Sequence, residues 1–170
     1  NPIEMEGTYP LPEAQLDRFA LQVLVPFPSA AELTRVLAED LPAPTAPNPR
    51  PVFSRADVRR LRHLVRSVPV SSDVIARVAR LVLATHPRPD SPDLIRRYVR
   101  HGASPRGGLA LLSTARARAL SRGRLHVADE DIERVAAPAL RHRLILGYEG
   151  EASGVSRDDL VAAALAASRG

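Results

Sequence analysis

The chain has 170 residues, enough for one domain or for a small domain joined to part of another. Nearly half of its residues are apolar, but few are aromatic and none is cysteine. This composition favours an aliphatic helical core and excludes disulfides and thiolate metal sites. No apolar run approaches the roughly 18 residues that a membrane-spanning helix needs, and no leader peptide is visible, so we expect a cytoplasmic protein.

The net charge is +5, and all 24 basic residues are arginine. Guanidinium groups suit contact with phosphate or nucleic acid. Interspersed acids and scarce aromatics nevertheless argue against general nucleic-acid binding, because single strands are usually held on aromatic stacking platforms. Without lysine, the phosphate-cradling loop Gly-x-x-x-x-Gly-Lys-Ser/Thr cannot occur in this sequence. The chain can therefore complete a nucleotide site but cannot make one.

The first predicted element is a strand from Phe19 to Phe27. This nearly continuous apolar run is typical of a strand buried on both faces of a parallel sheet. Ser29 then caps a predicted helix that ends at about Glu39. The segment 41–52 contains five prolines and predicts a stiff, exposed spacer loop.

From Ser54 onward the apolar periodicity is helical throughout. Predicted helix starts are Ser54, Ser71 or Ser72, Asp93, Ser104, Asp129 and Ser156, and Gly123 supplies a stop. The predicted inward positions include Val74, Ile75, Val78, Leu81 and Val82, then Leu109, Leu112, Ala115 and Ala119, then Ile132, Val135, Ala136, Ala139 and Leu140. The expected fold is mainly α, with a short strand remnant of an α/β core followed by an α-helical bundle.

Residues 1–19 read Asn-Pro-Ile-Glu-Met-Glu-Gly-Thr-Tyr-Pro-Leu-Pro-Glu-Ala-Gln-Leu-Asp-Arg-Phe. This block closely resembles the MoxR branch of the AAA+ ATPases. The similarity continues at His-Gly-Ala-Ser-Pro-Arg (101–106), Gly-Arg (123–124), Ala-Leu-Arg-His-Arg (139–143) and Leu-Gly-Tyr-Glu (146–149). It covers nearly the whole chain apart from the proline-rich loop.

The resemblance implies that residues 1–28 end an α/β nucleotide-binding core and that residues 29–170 form the helical lid. It implies ATP hydrolysis with Mg²⁺ in a homo-oligomeric ring, expected to be a hexamer. The expected role is chaperone-like remodelling or maturation of other proteins, often with partners that carry von Willebrand factor A domains. The ATP-binding loop and the Mg²⁺ ligands are expected in a missing front half, so these residues alone should be inactive.

The resemblance also assigns three sites. Asn1 matches sensor 1, a polar side chain that orients the attacking water. Arg18 matches the arginine finger, which reaches the nucleotide of the neighbouring subunit. The alternative for Arg18 is an ordinary surface pair with Asp17. Arg106 matches sensor 2, and its context supports this, since Ser104 can cap a helix that Pro105 begins and a helix start attracts phosphate.

Two alternatives stay open. The magnesium-chelatase ATPase subunit carries a similar Leu-Asp-Arg-Phe and Ser-Pro-Arg, although the stretch from Gly7 to Gln15 favours MoxR. The basic helical part could instead be a non-catalytic adaptor or a nucleic-acid-binding module. The five histidines lack metal-ligand spacing, so no metal site is predicted from them.

Overall fold

The computed structural model describes residues 11–39 and 50–169. The predicted sensor Asn1 and most of the proline-rich loop lie outside these residues. The helices are α1 (Glu13–Leu16), α2 (Ala30–Glu39), α3 (Arg55–Ser67), α4 (Ser72–Ala84), α5 (Asp93–Tyr98), α6 (Pro105–Ser121), α7 (Asp129–Leu140), α8 (Tyr148–Ser153) and α9 (Arg157–Ala167). A two-stranded sheet joins β1 (Val99–His101) and β2 (Ile145–Leu146), and a 3₁₀ turn covers Arg141–Arg143. The predicted fold class, mainly α with a helical bundle, is confirmed.

The described residues form two compact units, of which the smaller covers residues 23–62. It holds a segment without regular secondary structure, α2 and the first half of α3. The prediction of a buried strand at Phe19–Phe27 is wrong, because these residues lie in no strand. The side chains of Val23, Val25 and Phe27 are 72%, 86% and 84% exposed. A strand needs a neighbouring strand for its backbone hydrogen bonds, and within residues 11–39 and 50–169 this segment pairs with none.

The larger unit contains residues 11–22 and 63–169. Within it α6 packs against α4 and α7, and α9 packs against α4 and α7. Aliphatic side chains fill the space between these helices, and Leu81, Ile95, Leu111, Ile132, Leu140 and Leu160 are fully buried. None of the helices in the described residues combines the length and hydropathy needed to cross a bilayer.

The predicted helix starts are confirmed where a serine was expected to cap. Ser71 accepts the backbone N–H of Val74 at 3.3 Å, and Ser156 accepts that of Asp158 at 3.2 Å. The Ser29 hydroxyl caps α2 by accepting the N–H of Glu32 at 3.3 Å, and the backbone N–H of Ser29 donates to the Glu32 carboxylate at 2.8 Å, which completes a reciprocal capping box. These starts are local features, since a serine satisfies the free N–H groups of the turn that follows it.

Two predicted core positions are wrong. The side chain of Ile75 is 49% exposed, and that of Leu109 is 67% exposed, whereas Leu111 is fully buried. In α6 alanine and leucine occupy several faces, so the apolar pattern indicates no single buried direction. The inward face of α7 was predicted correctly, since all five of its predicted apolar positions are buried, while Glu130 and Arg134 are exposed.

Strand β1 of the small sheet ends shortly before α6, whose first turn contains the predicted site residue Arg106. β1 and β2 run antiparallel, with Val99 opposite Leu146 and His101 opposite Ile145. The register is irregular between Val99 and His101. The sheet therefore ties the chain entering α6 to the segment that follows α7. The sequence did not predict this sheet, because its two strands are short and distant along the chain.

Candidate functional site

The end of α4 fixes the loop that precedes α6. The hydroxyl of the buried Thr85 donates to the carbonyl of Val82 at 2.6 Å and accepts the N–H of Ala103 at 2.9 Å. The His86 ring nitrogen Nε2 lies 3.0 Å from the carbonyl of Ala103, to which it can donate. A Cβ on Gly102 would lie 2.6 Å from the backbone of Thr85, so only glycine fits there. The start of α6 is thus held by the side chains of Thr85 and His86, which contact the backbone N–H and carbonyl of Ala103.

Ser104 and Arg106 occupy the first turn of α6 as the sequence predicted. The Ser104 hydroxyl accepts the N–H of Arg106 at 3.2 Å, and Pro105 begins the helix. The same hydroxyl donates to the two carboxylate oxygens of Asp17 at 2.8 and 2.9 Å. Arg106 Nη1 donates to Asp17 Oδ2 at 3.2 Å, although its side chain stays 61% exposed. The helix start thus presents an exposed guanidinium that a single carboxylate holds.

Asp17 is the centre of this cluster. Besides Ser104 and Arg106, it accepts a hydrogen bond from Arg143 Nε on Oδ1 at 3.1 Å. Burial alone would raise the pKa of Asp17, but the Ser104 and Arg106 hydrogen bonds and the Arg143 charge outweigh it, so the pKa lies below its ordinary value. Asp17 therefore stays ionised at neutral pH. It pairs with Arg106 and Arg143 rather than making the surface pair with Arg18.

Arg143 was not predicted as a site residue. Its side chain is only 2% exposed, and it also donates to the carbonyls of Asp17 and Phe19 at 2.9 and 2.6 Å. In the sequence Arg143 stands out as part of the family-like run Ala-Leu-Arg-His-Arg (139–143) and as a cation at a helix C-terminus, and neither signal gives it a role at the site. Its partner Asp17 is 126 residues away along the chain, so no spacing rule could have joined the two.

Arg18 lies next to the cluster but outside its hydrogen bonds. It follows α1 in a turn in which its N–H donates to the carbonyl of Gln15 at 3.1 Å. Its side chain is exposed and makes no hydrogen bond or ion pair to residues 11–39 or 50–169. The structure thus brings Ser104 and Arg106 together with Asp17 and leaves the adjacent Arg18 facing solvent.

Two family models match the sequence. The AAA lid domain matches residues 91–164, and the ATPase family associated with various cellular activities (AAA) matches residues 1–21. The chaperone MoxR1 of Mycobacterium tuberculosis is 36% identical over 163 residues, which cover 95% of this chain and 42% of that protein. The protein MoxR of Paracoccus denitrificans is 31% identical over 157 residues, which cover 86% of this chain and 46% of that protein. The chain belongs to the MoxR family of AAA+ proteins.

The crystal structure of another protein has the same architecture as this chain. It is that of a candidate ATPase from Cytophaga hutchinsonii, with a TM-score of 0.85 and 33% identity. The match covers 98% of this chain and 51% of the other. The present chain therefore spans about half the length of the relatives that it matches.

Proposed function

We propose that the whole protein hydrolyses ATP, with Arg106 contacting the terminal phosphate in its own subunit and Arg18 contacting that of the neighbouring subunit. The observation that carries the proposal is the cluster in which Asp17 joins the turn of Arg18 to the capped start of α6. Membership of the AAA+ family supports the same roles for the two arginines. Ser104 and Pro105 act by fixing the helix start from which Arg106 projects.

The chemistry of the cluster suits a phosphate group. Arg106 is exposed, offers a planar set of donors, and stands at a helix start whose N–H groups favour anions. Within residues 11–39 and 50–169 no group of three acidic or histidine side chains could hold a metal ion. The Mg²⁺ ligands and the phosphate-binding lysine are proposed to come from residues other than these 170. On this proposal the isolated chain does not turn over ATP, and Asn1 serves as sensor 1.

The contributions of the chain follow from charge and position. ATP, when bound with Mg²⁺, supplies the phosphoryl group that is transferred to water. Arg106 stabilises negative charge on that group, and before the nucleotide binds Asp17 holds the Arg106 guanidinium near the site. Arg18 adds a second guanidinium from the adjacent subunit. Fingers of this kind increase kcat by about 10³ to 10⁵ in related systems.

The assembly and its targets are proposed from the family. An arginine that acts on the site of a neighbouring subunit requires an oligomer, and we propose a homohexameric ring. The proposed role is chaperone-like remodelling or maturation of client proteins in the cytoplasm, with partners that carry von Willebrand factor A domains. The name of the Mycobacterium tuberculosis relative, a chaperone, supports this role.

The test uses the full-length product of the gene and measures ATP turnover. Arg18→Ala and Arg106→Ala are each expected to lower kcat at least 100-fold, because each removes charge stabilisation from the transition state. Arg157→Ala is the matched control, since Arg157 forms an exposed pair with Glu151. Unchanged turnover in both site variants would refute the proposal.

Mixing experiments separate the two arginines. Subunits that carry Arg18→Ala keep an intact site, so they should regain turnover beside subunits that lack the phosphate-binding lysine but retain Arg18. Mixtures with subunits that carry Arg106→Ala should regain no turnover. In these mixtures every subunit has a defect in its own nucleotide site, either the missing Arg106 or the missing lysine. Recovery in both mixtures, or in neither, contradicts the assignment of one arginine to each subunit.

A further inference from the structure

Arg143 makes many more hydrogen bonds than its ion pair with the Asp17 carboxylate alone would involve. Its guanidinium donates to five acceptors, namely Asp17 Oδ1 and the carbonyls of Asp17, Phe19, Ala20 and Ala139. The side chain is 2% exposed. Burial of a cation is costly unless all its donors are used. Here four of the five acceptors belong to one short segment, so most of the binding capacity of Arg143 is directed at that segment.

Those four acceptors lie on both sides of Arg18. The carboxylate and carbonyl of Asp17 precede it, and the carbonyls of Phe19 and Ala20 follow it. The backbone of Arg18 is thus fixed at both ends, while its own side chain stays exposed. A residue that must reach a fixed position in another subunit needs a backbone that is held in place and a side chain that is exposed.

The residues beside Arg143 continue the same contact. His142 Nε2 lies 3.1 Å from the carbonyl of Phe19, and Arg141 Nη1 donates to the carbonyl of Gln22 at 3.3 Å. Arg141 is itself anchored, because its Nε and Nη2 donate to the two oxygens of Asp158, each at 2.9 Å. The N–H of Gln22 also donates to the carbonyl of Pro138 at 2.8 Å. Segment 17–22 has little secondary structure of its own and is fixed by segment 138–143.

We propose that Arg143 is the positioning residue of Arg18, holding the turn of the finger rigidly on the helical bundle that carries Arg106. The inference rests on the proposed function, since it concerns how the finger reaches the neighbouring nucleotide. It adds that the turn of Arg18 and the first turn of α6 share one anchor, because Asp17 contacts both Arg143 and Arg106. Gly107 provides the space, as a Cβ there would lie 3.2 Å from Arg143 Cδ.

The test is a double-mutant cycle on the ATP turnover of the full-length protein. Arg143→Gln keeps part of the shape and some donors but removes the charge and the fork. It is expected to lower kcat about 10- to 100-fold, since a displacement of about 1 Å at a reacting group has effects of that size. KM for ATP should change less than about twofold, because the finger acts on the transition state of the neighbouring site. Arg143→Lys should also be impaired, since one ammonium group cannot reach all five acceptors.

The decisive measurement is the combination with Arg18→Ala. If Arg143 acts through Arg18, the double variant should have the same kcat as Arg18→Ala alone. A further loss of about tenfold in the double variant, or unchanged kcat in Arg143→Gln, overturns the inference and leaves the proposed function intact. Unchanged kcat in Arg18→Ala refutes the assignment of the finger and this inference with it. Arg157→Ala serves again as the control.

A second variant covers the case in which Arg143→Gln fails to assemble. Gly107→Ala keeps every polar group but places a Cβ 3.1–3.2 Å from Ala103, Leu140 and Arg143, so these neighbours must move by a few tenths of an ångström. Its loss of kcat is expected to be smaller and to vanish in the Arg18→Ala background. A loss of equal factor in both backgrounds overturns the inference, as does a Gly107→Ala protein with unchanged kcat.

Discussion

Asp131 offers the sharpest test of what holds the helical bundle together. Its side chain is fully buried and accepts Arg124 Nη1 at 2.5 Å, Arg124 Nη2 at 2.6 Å and Arg118 Nη1 at 2.6 Å. It also accepts the N–H of Ala128 at 2.9 Å, which caps the start of α7. Asp131→Asn preserves the shape but replaces one acceptor oxygen with a donor. At least one of these cationic contacts then becomes a donor facing a donor.

The magnitude follows from the burial of the three side chains. Removing one partner of a buried ion pair costs about 3–5 kcal/mol. Arg118 and Arg124 are 16% and 28% exposed, so water can hydrate them partly, and we expect the lower end, about 3 kcal/mol. That is a large part of the roughly 5–15 kcal/mol by which domains are stable. Glu151→Gln, which alters the exposed pair with Arg157, should cost less than about 1 kcal/mol.

The assay is urea denaturation at several pH values. Burial raises the pKa of Asp131, but hydrogen bonds from Arg124, Ala128 and Arg118 outweigh it, and the pKa lies below the ordinary value of 3.8. A carboxyl whose folded pKa is lowered stabilises the fold above the unfolded pKa and loses this contribution as the pH falls through the folded value. The gap between wild type and Asp131→Asn should therefore be full at pH 7 and narrow below about pH 4. A gap as small as that of Glu151→Gln, or one independent of pH, would refute the reasoning.

Two further predictions concern the supports of the site. Gly102→Ala should lower the melting temperature by several degrees, because its Cβ would meet the backbone of Thr85 at 2.6 Å; an unchanged melting curve would contradict the tight approach. Burial is the main cause that lowers the pKa of His142, and Nδ1 is buried without a hydrogen bond in the described residues. A histidine whose pKa is lowered in the folded state stabilises the fold at high pH, and the protein loses this stability as the pH falls through the unfolded pKa of about 6.5. An NMR titration should place the His142 midpoint below 6.5, with the proton on Nε2; a midpoint above 6.5 would contradict this burial.

Local signals account for what the sequence predicted. Ser71, Ser104 and Ser156 begin helices at the expected places, and Gly123 ends α6 with a φ of 71° that favours glycine. Each of these features depends on a few neighbouring residues. The first turn of α6, including Arg106, was predictable for the same reason.

Long-range contacts account for what the sequence did not predict. The strand expected at Phe19–Phe27 was inferred from hydropathy alone, and hydropathy does not reveal whether a pairing strand is present. The β1–β2 sheet and the pairing of Asp17 with Arg143 join residues that are far apart in the chain. The family resemblance placed Arg18 and Arg106 in one mechanism, but neither the resemblance nor the spacing indicated that Asp17 links their supports.

The cluster contains two guanidinium groups and one carboxylate, and their different burial separates their roles. Arg143 is almost fully buried and has five acceptors, whereas Arg106 is 61% exposed and reaches Asp17 through one contact of 3.2 Å. A phosphate with more than one negative charge competes with a carboxylate for a cation, and the weakly held, exposed cation is the one that can leave. Asp17 would then remain with Arg143. Under the proposed function, Arg106 can therefore respond to the nucleotide while the support of Arg18 stays in place.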